Sequence, residues 1–236
     1  MHKLVMLWVA MLAIAPAVLP VHAQKLTYRP RRTAAIPVGT VAGATRGGKC
    51  GDASCLVAVM PPNTVITADT KATIDHLPLT IADRPVFYVN IPNTNGLGRL
   101  RLFKLTNPSD RGQLIFSNTF KVESASGIAR LALPQTAPAL AVGSVYRWEL
   151  MVGDLEREAT VIGLVSRVQP DPSLTKALQS ATPAKKAEIL ANAGIWLDAV
   201  DLLAVHSPQS LAELLRAVGL GAIANQPVQS CCSITK

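Results

Sequence analysis

Between residues 55 and 168, apolar residues recur at every second position in short runs, and each run stops at proline, glycine or a polar cluster. The run 56–60 ends at Pro61-Pro62, and 85–91 alternates Phe87, Val89 and Ile91 before Pro92. Residues 99–105 carry Leu100 and Leu102, then Phe103 and Leu105, a slip of phase that predicts a bulge. Leu114, Phe116, Phe120 and Val122 alternate next, and Ala129, Leu131 and Leu133 precede Pro134. A strand over 144–152 and a last one with Ile162, Leu164 and Val168 follow. Seven short strands separated by turn signals predict a β-sandwich.

The sixth strand is the most specific. Tyr146, Trp148, Leu150 and Val152 fall on one face of it, and Val145, Arg147, Glu149 and Met151 on the other. Leu140 and Gly143 precede Tyr146 at the spacing of a tyrosine corner, whose ring packs inward while its hydroxyl bonds to upstream backbone. An antibody domain has its second cysteine two residues after that tyrosine, where this chain has Trp148. The expected sandwich is therefore of the fibronectin-III-like kind, with its cysteines outside the core.

At 169–172 the period becomes helical. Leu174, Ala177, Leu178 and Ala181 recur at i, i+3, i+4 and i+7, as do Trp196, Ala199, Val200 and Leu203, and again Leu211, Leu214, Leu215 and Val218. Asp171-Pro172, Thr182-Pro183 and Ser207-Pro208 each set a capping side chain before a proline at the first helical position. Gly194 ends the helix over 183–193. The hairpin 182–206, with Gly194, Trp196 and Ala199, looks like one tetratricopeptide-type unit; a small helical cap packed on the sheet is the other reading. On either reading Asp198 and Asp201 are expected on the solvent side of their helix.

Composition changes the picture at the ends of the chain. His2 and Lys3 precede an uncharged apolar run from Leu4, and Val21-His22-Ala23 forms a small-residue cleavage site, the order of a secretory signal peptide over 1–23. No charge follows until Lys25, which leaves an uncleaved anchor open. No other membrane span is expected. Removing 1–23 takes Lys3 with it and lowers the net charge from +8 to +7, so the exported chain favours anionic surfaces. Residues 24–54 combine Arg29, Arg31, Arg32, Arg46 and Lys49 with prolines and glycines and are expected to form an extended, basic, mobile arm. Export also permits disulfides among Cys50, Cys55, Cys231 and Cys232. Either Cys50 pairs with Cys55, or the tail pair ties the C-terminus to that segment; the longer loop would contribute about 4–5 kcal/mol in the entropic picture. Zinc is disfavoured by the missing histidines and CxxC spacing.

Candidate chemistry is sparse. The stretch 43–50 fits GxxxxGK, but Cys50 stands where a P-loop needs Ser or Thr, and no strand-to-helix context surrounds it, so no nucleotide is expected. Without the leader, His76 and His206 are the remaining histidines, and a hydrolase would need one of them in a cleft beside a serine or carboxylate. Asp154, Glu156 and Glu158 read as a solvated turn beside Arg157. The aromatic content of 4% leaves few rings for stacking, and no nucleic acid is expected. Neither a cofactor nor a metal is expected.

These residues carry a family resemblance. Thr45-Arg46-Gly47 near a cysteine, then Pro85-Val86-Phe87-Tyr88-Val89, Gly127-Ile128 with Leu133-Pro134, the Leu140…Gly143…Tyr146-Arg147-Trp148 strand, Gly194-Ile195-Trp196-Leu197-Asp198-Ala199, and Val218-Gly219-Leu220 with Ile223-Ala224 follow one order. That order resembles a mostly cyanobacterial exported family catalogued as domain of unknown function 928, from about Thr45 to Pro227. Members often carry tyrosine at the position of Leu197, and a cysteine just after the Tyr-x-Trp strand, where this chain reads Met151-Val152-Gly153-Asp154. If that cysteine pairs with the one in the basic loop, Cys50 here must pair with Cys55 or the tail. The resemblance implies export and layout, and no mechanism.

The sequence thus predicts a mainly β chain with α: a basic arm over 24–54, an immunoglobulin/fibronectin-III-like sandwich over 55–168, a small helical, tetratricopeptide-like part over 173–225, and a cysteine tail over 226–236. The expected role is a non-catalytic protein-interaction or scaffold module of the cell envelope with an envelope protein as partner. Binding of anionic envelope polysaccharide through the arm is the alternative, and a cryptic hydrolase the third.

Overall fold

The structure is a computed structural model, and it describes residues 26–31, 36–37, 54–61, 73–74, 76–106, 112–124, 126–153, 158–229 and 232. Strands lie where alternation placed them: β2 (Val57–Ala58), β5 (Val86–Ile91), β6 (Thr94–Leu105), β7 (Gln113–Ser124), β8 (Gly127–Ala132), β9 (Val145–Gly153) and β10 (Glu158–Arg167). Four two-residue strands that alternation did not signal join them: β1 (Ile36–Pro37), β3 (Thr73–Ile74), β4 (Leu79–Thr80) and β11 (Val228–Gln229). Two-residue strands are too short to show a period, and partners distant in sequence define them. Thus β4 pairs in parallel with the end of β10, and β11 in parallel with β8.

Among the described residues there is a five-stranded sheet in the order β4-β10-β9-β6-β7, a four-stranded sheet in the order β11-β8-β5-β2, and a separate β1-β3 pair. The phase slip in β6 is a register shift against β7 between Leu102 and Phe103. Tyr146, Trp148 and Leu150 of β9, with Leu100 and Leu102 of β6, are buried in a core shared with Phe87, Val89 and Ile91 of β5. At its centre the rings of Phe87 and Trp148 stack at 4.9 Å. Gly163 of β10 makes room for that tryptophan, because a Cβ there would lie 2.5–2.7 Å from the indole.

Four helices follow: α1 (Pro172–Gln179), α2 (Pro183–Asn192), α3 (Trp196–His206) and α4 (Pro208–Ala217). Asp171 and Thr182 cap as expected, each accepting a backbone N–H from three residues on. Ser207 departs from the expectation. It precedes Pro208, but its side chain makes no cap bond and pairs with the Ser210 hydroxyl at 2.8 Å instead. Helix α3 meets the sheets, at β5 of the four-stranded sheet and at β4 on the edge of the five-stranded one, and the other helices pack around it. Phe87 of β5 turns into the sandwich, whereas the next residue, Tyr88, reaches the α3 side chain of Asp201. Apart from Val86, the whole of β5 is buried, as befits a strand covered on both sides.

Candidate functional site

The junction of α3 with the sheet is built from the α2–α3 corner outward. Gly194, at φ 75°, closes α2 with paired bonds from its own N–H to the Ala191 carbonyl (3.1 Å) and from the Ile195 N–H to the Leu190 carbonyl (2.9 Å). This delivers Trp196, fully buried, to the first position of α3, where its indole N–H donates to the Val59 carbonyl at 2.9 Å. Further along α3, Asp201 Oδ1 accepts from the Tyr88 hydroxyl at 2.6 Å and from Arg130 Nε at 3.1 Å. Burial, and next the Asp201 carboxylate, push the Tyr88 phenol far up, so it stays a donor. One turn earlier, Asp198 Oδ2 accepts the Ile81 N–H at 3.2 Å. Burial pushes the Asp198 carboxyl up, against the lowering effect of bonds from Thr80, Ile81 and Ala82.

The expectation that Asp198 and Asp201 face solvent is therefore corrected. A helix laid on a sheet contacts it with a broad arc, and carboxylates at the margin of the apolar stripe are taken up by polar groups of the sheet. One sequence signal pointed there: Tyr88 and Arg130 are polar positions in strands whose alternate residues are core, and they are directly paired across β5 and β8.

The first described segment crosses the same corner. Leu26 is 8% exposed, and Tyr28 meets Trp196 edge-on at 4.8 Å. The Arg29 N–H donates to the Ala191 carbonyl at 3.0 Å. Of the predicted anion-contact residues, Arg29 and Arg31 are exposed on this segment, and Arg32, Arg46 and Lys49 lie outside the described residues. The Asp171 carboxyl at the start of α1 is held low first by the Ser173 hydroxyl, then by the Leu174 amide, with a smaller contribution from Arg31. Residues 26–31 thus lie along the helical layer, anchored by Leu26 and Tyr28, where the sequence suggested a mobile arm. The pairing of Tyr28 with the distant Trp196 has no local signature.

The structural residues of the sixth strand sit as expected. Leu140 is fully buried, Gly143 has φ 77°, and the Tyr146 hydroxyl accepts the Ala141 N–H at 2.7 Å. The opposite face of β9 holds what the sequence left unread. Arg147 and Glu149 are each 5% exposed. Glu149 contacts Arg101 at 2.7 Å and Arg147 Nε at 3.1 Å, the latter an ion pair without hydrogen-bond geometry. The Arg147 guanidinium also lies 4.3 Å over the Phe103 ring.

His206 is exposed at the end of α3 and His76 is half-buried. The acidic turn over 154–157 and the stretch 43–50 lie outside the described residues. Cys55 and Cys232 are disulfide-bonded, while Cys50 and Cys231 lie outside the described residues. An open cleft of about 590 Å³ at one end of the β6–β7 ribbon is lined by Asn95, Gly96, Leu97, Lys121, Val122 and Glu123. Among the described residues no group of three or more His, Cys, Asp or Glu is placed to hold a metal, and no helix is long and apolar enough to cross a membrane. A family model described as Domain of Unknown Function (DUF928) matches residues 41–228. No curated protein matches the chain.

Proposed function

Since this chain belongs to the DUF928 family, which is named for an unknown function, we propose its role from its geometry: an exported, non-catalytic interaction module of the cell envelope whose partner is a protein. One observation carries this reading. Carboxylates act as acceptors that cross-link elements: Asp198 and Asp201 tie α3 to Ile81, Tyr88 and Arg130, and the buried Glu149 pairs with Arg101 across β6 and β9 and with Arg147 along β9. Ionic groups used in this way make a rigid body that displays surfaces. Read as strands A to G, β2-β5-β8 and β7-β6-β9-β10 follow the order A-B-E and C′-C-F-G of a fibronectin-III-like sandwich, to which a tetratricopeptide-like hairpin, α2–α3, adds a third layer. The leader pattern and the four cysteines fit an oxidising, exported setting.

Binding of anionic polysaccharide is the second reading, favoured by the exposure of Arg29 and Arg31. Photo-crosslinkers at Val205 on the helical layer and Leu114 on the ribbon, both at least half exposed, test the two together in envelope fractions. Discrete protein adducts support the first. Salt-sensitive retention on anionic polysaccharide without adducts supports the second. The absence of both adducts and salt-sensitive retention would overturn both readings.

A further inference from the structure

The segment 26–31 is held by its backbone and by two side chains. An extended chain places alternate residues on one side: Leu26 and Tyr28 turn inward, while Thr27 and Arg29 are exposed. Backbone recognition comes from the Ala191 carbonyl, which accepts the Arg29 N–H at 3.0 Å. Gly194 permits the close approach, because a Cβ there would lie 3.0 Å from both the Arg29 carbonyl oxygen and the Arg31 nitrogen. Contacts of this kind accept any sequence, and the two apolar positions supply the selectivity.

The occupant fits imperfectly. The Tyr28 hydroxyl is buried and has no hydrogen-bond partner among the described residues. A phenol that leaves water unpaired weakens its own docking, and phenylalanine would fill the same space without that loss. We propose that the α2–α3 corner is a docking seat for an extended peptide, that residues 26–31 are its resident occupant, and that a protein segment reading leucine, spacer, phenylalanine, arginine displaces them. The identity of such a segment as part of an envelope protein rests on the interaction reading above; the seat itself does not.

The test uses the chain from Gln24 on, which keeps every described residue and retains Trp148 and Trp196 as its tryptophans. With 5-fluorotryptophan incorporated, the resonance that moves on Tyr28→Leu belongs to Trp196; Leu26→Ser serves in its place if that variant does not fold. Titration with the peptide Leu-Thr-Phe-Arg-Pro-Arg is expected to shift the Trp196 resonance saturably and leave that of Trp148 in place. The tyrosine version of the peptide should need on the order of tenfold more, and Tyr28→Phe in the chain should raise half-saturation by a similar factor. An unmoved Trp196 resonance in the native chain and in the folded variant, or both resonances moving together, overturns the seat. A saturable shift without crosslinked partners keeps the seat and removes the envelope-protein reading. Adducts without a shift do the reverse.

Discussion

Glu149 shows how much one residue's setting decides. It stands directly opposite Arg101 across β6 and β9, two residues from Arg147, and both it and Arg147 are 5% exposed. Glu149→Gln would leave two guanidinium groups facing a neutral amide in a poorly hydrated place. Breaking a buried ion pair from one side costs about 3–5 kcal/mol, so the urea midpoint should fall sharply. Arg99→Gln, one alternation from Arg101 along β6 and exposed, should stay within about 0.5 kcal/mol. Equal losses in the two variants would show that the cluster is solvated. In the sequence Arg147 and Glu149 were visible on one face of the strand, but their burial was not, because burial belongs to whatever covers that face.

Among the elements, the helices divide into what local chemistry determines and what it does not. Thr182 and Ser207 were written alike, each before a proline, yet only Thr182 accepts a backbone N–H, from Lys185. Ser207 has backbone angles of −154° and 72°, because the chain is still turning out of α3 when α4 begins, and its hydroxyl goes to Ser210. Thr182→Ala should therefore cost about 1 kcal/mol of stability and Ser207→Ala much less, a contrast that thermal unfolding of the two variants reads directly. Matching losses would mean that the serine caps after all. The turn at Gly194 was legible, since a positive φ after an amphipathic run selects glycine, and the strands of β5 to β10 were legible from their period. The face of α3 was not. Its stripe of Trp196, Ala199, Val200 and Leu203 was read as the whole contact, while the arc it buries also takes in Asp198 and Asp201.

On the scale of the whole molecule, the layers are joined by contacts between residues far apart in sequence: Trp196 with Val59, Asp198 with Ile81, Asp201 with Tyr88 and Arg130. The helical layer covers a sheet face that carries the buried Tyr88 and Ile128. We therefore expect the intact chain to unfold in one transition, with far-UV circular dichroism and tryptophan fluorescence coincident. A fragment ending at Val168 should show no cooperative transition, having lost the cover of that face. Two resolved transitions in the intact chain would instead make the helices an independent body. For the same reason, deletion of 173–225 is a poor probe of partner binding, and surface crosslinking is the better one.

By itself the sequence determined the local pieces: seven strands and a bulge from a period of two, three helices from a period of 3.6 and a fourth over 183–193 from its capping start and glycine stop, the tyrosine corner from Leu140, Gly143 and Tyr146, and family membership from the order of short motifs. Each of these depends on a residue and its near neighbours, which is what a pattern along a chain records. Only the tertiary structure decided that α3 meets β5 and β4, that Arg147 and Glu149 are buried together, and that Tyr28 rests against Trp196 at the α2–α3 corner. Those outcomes depend on which surface meets which, and a side chain's solvent exposure is a property of the partner that covers it as much as of the strand or helix that carries it.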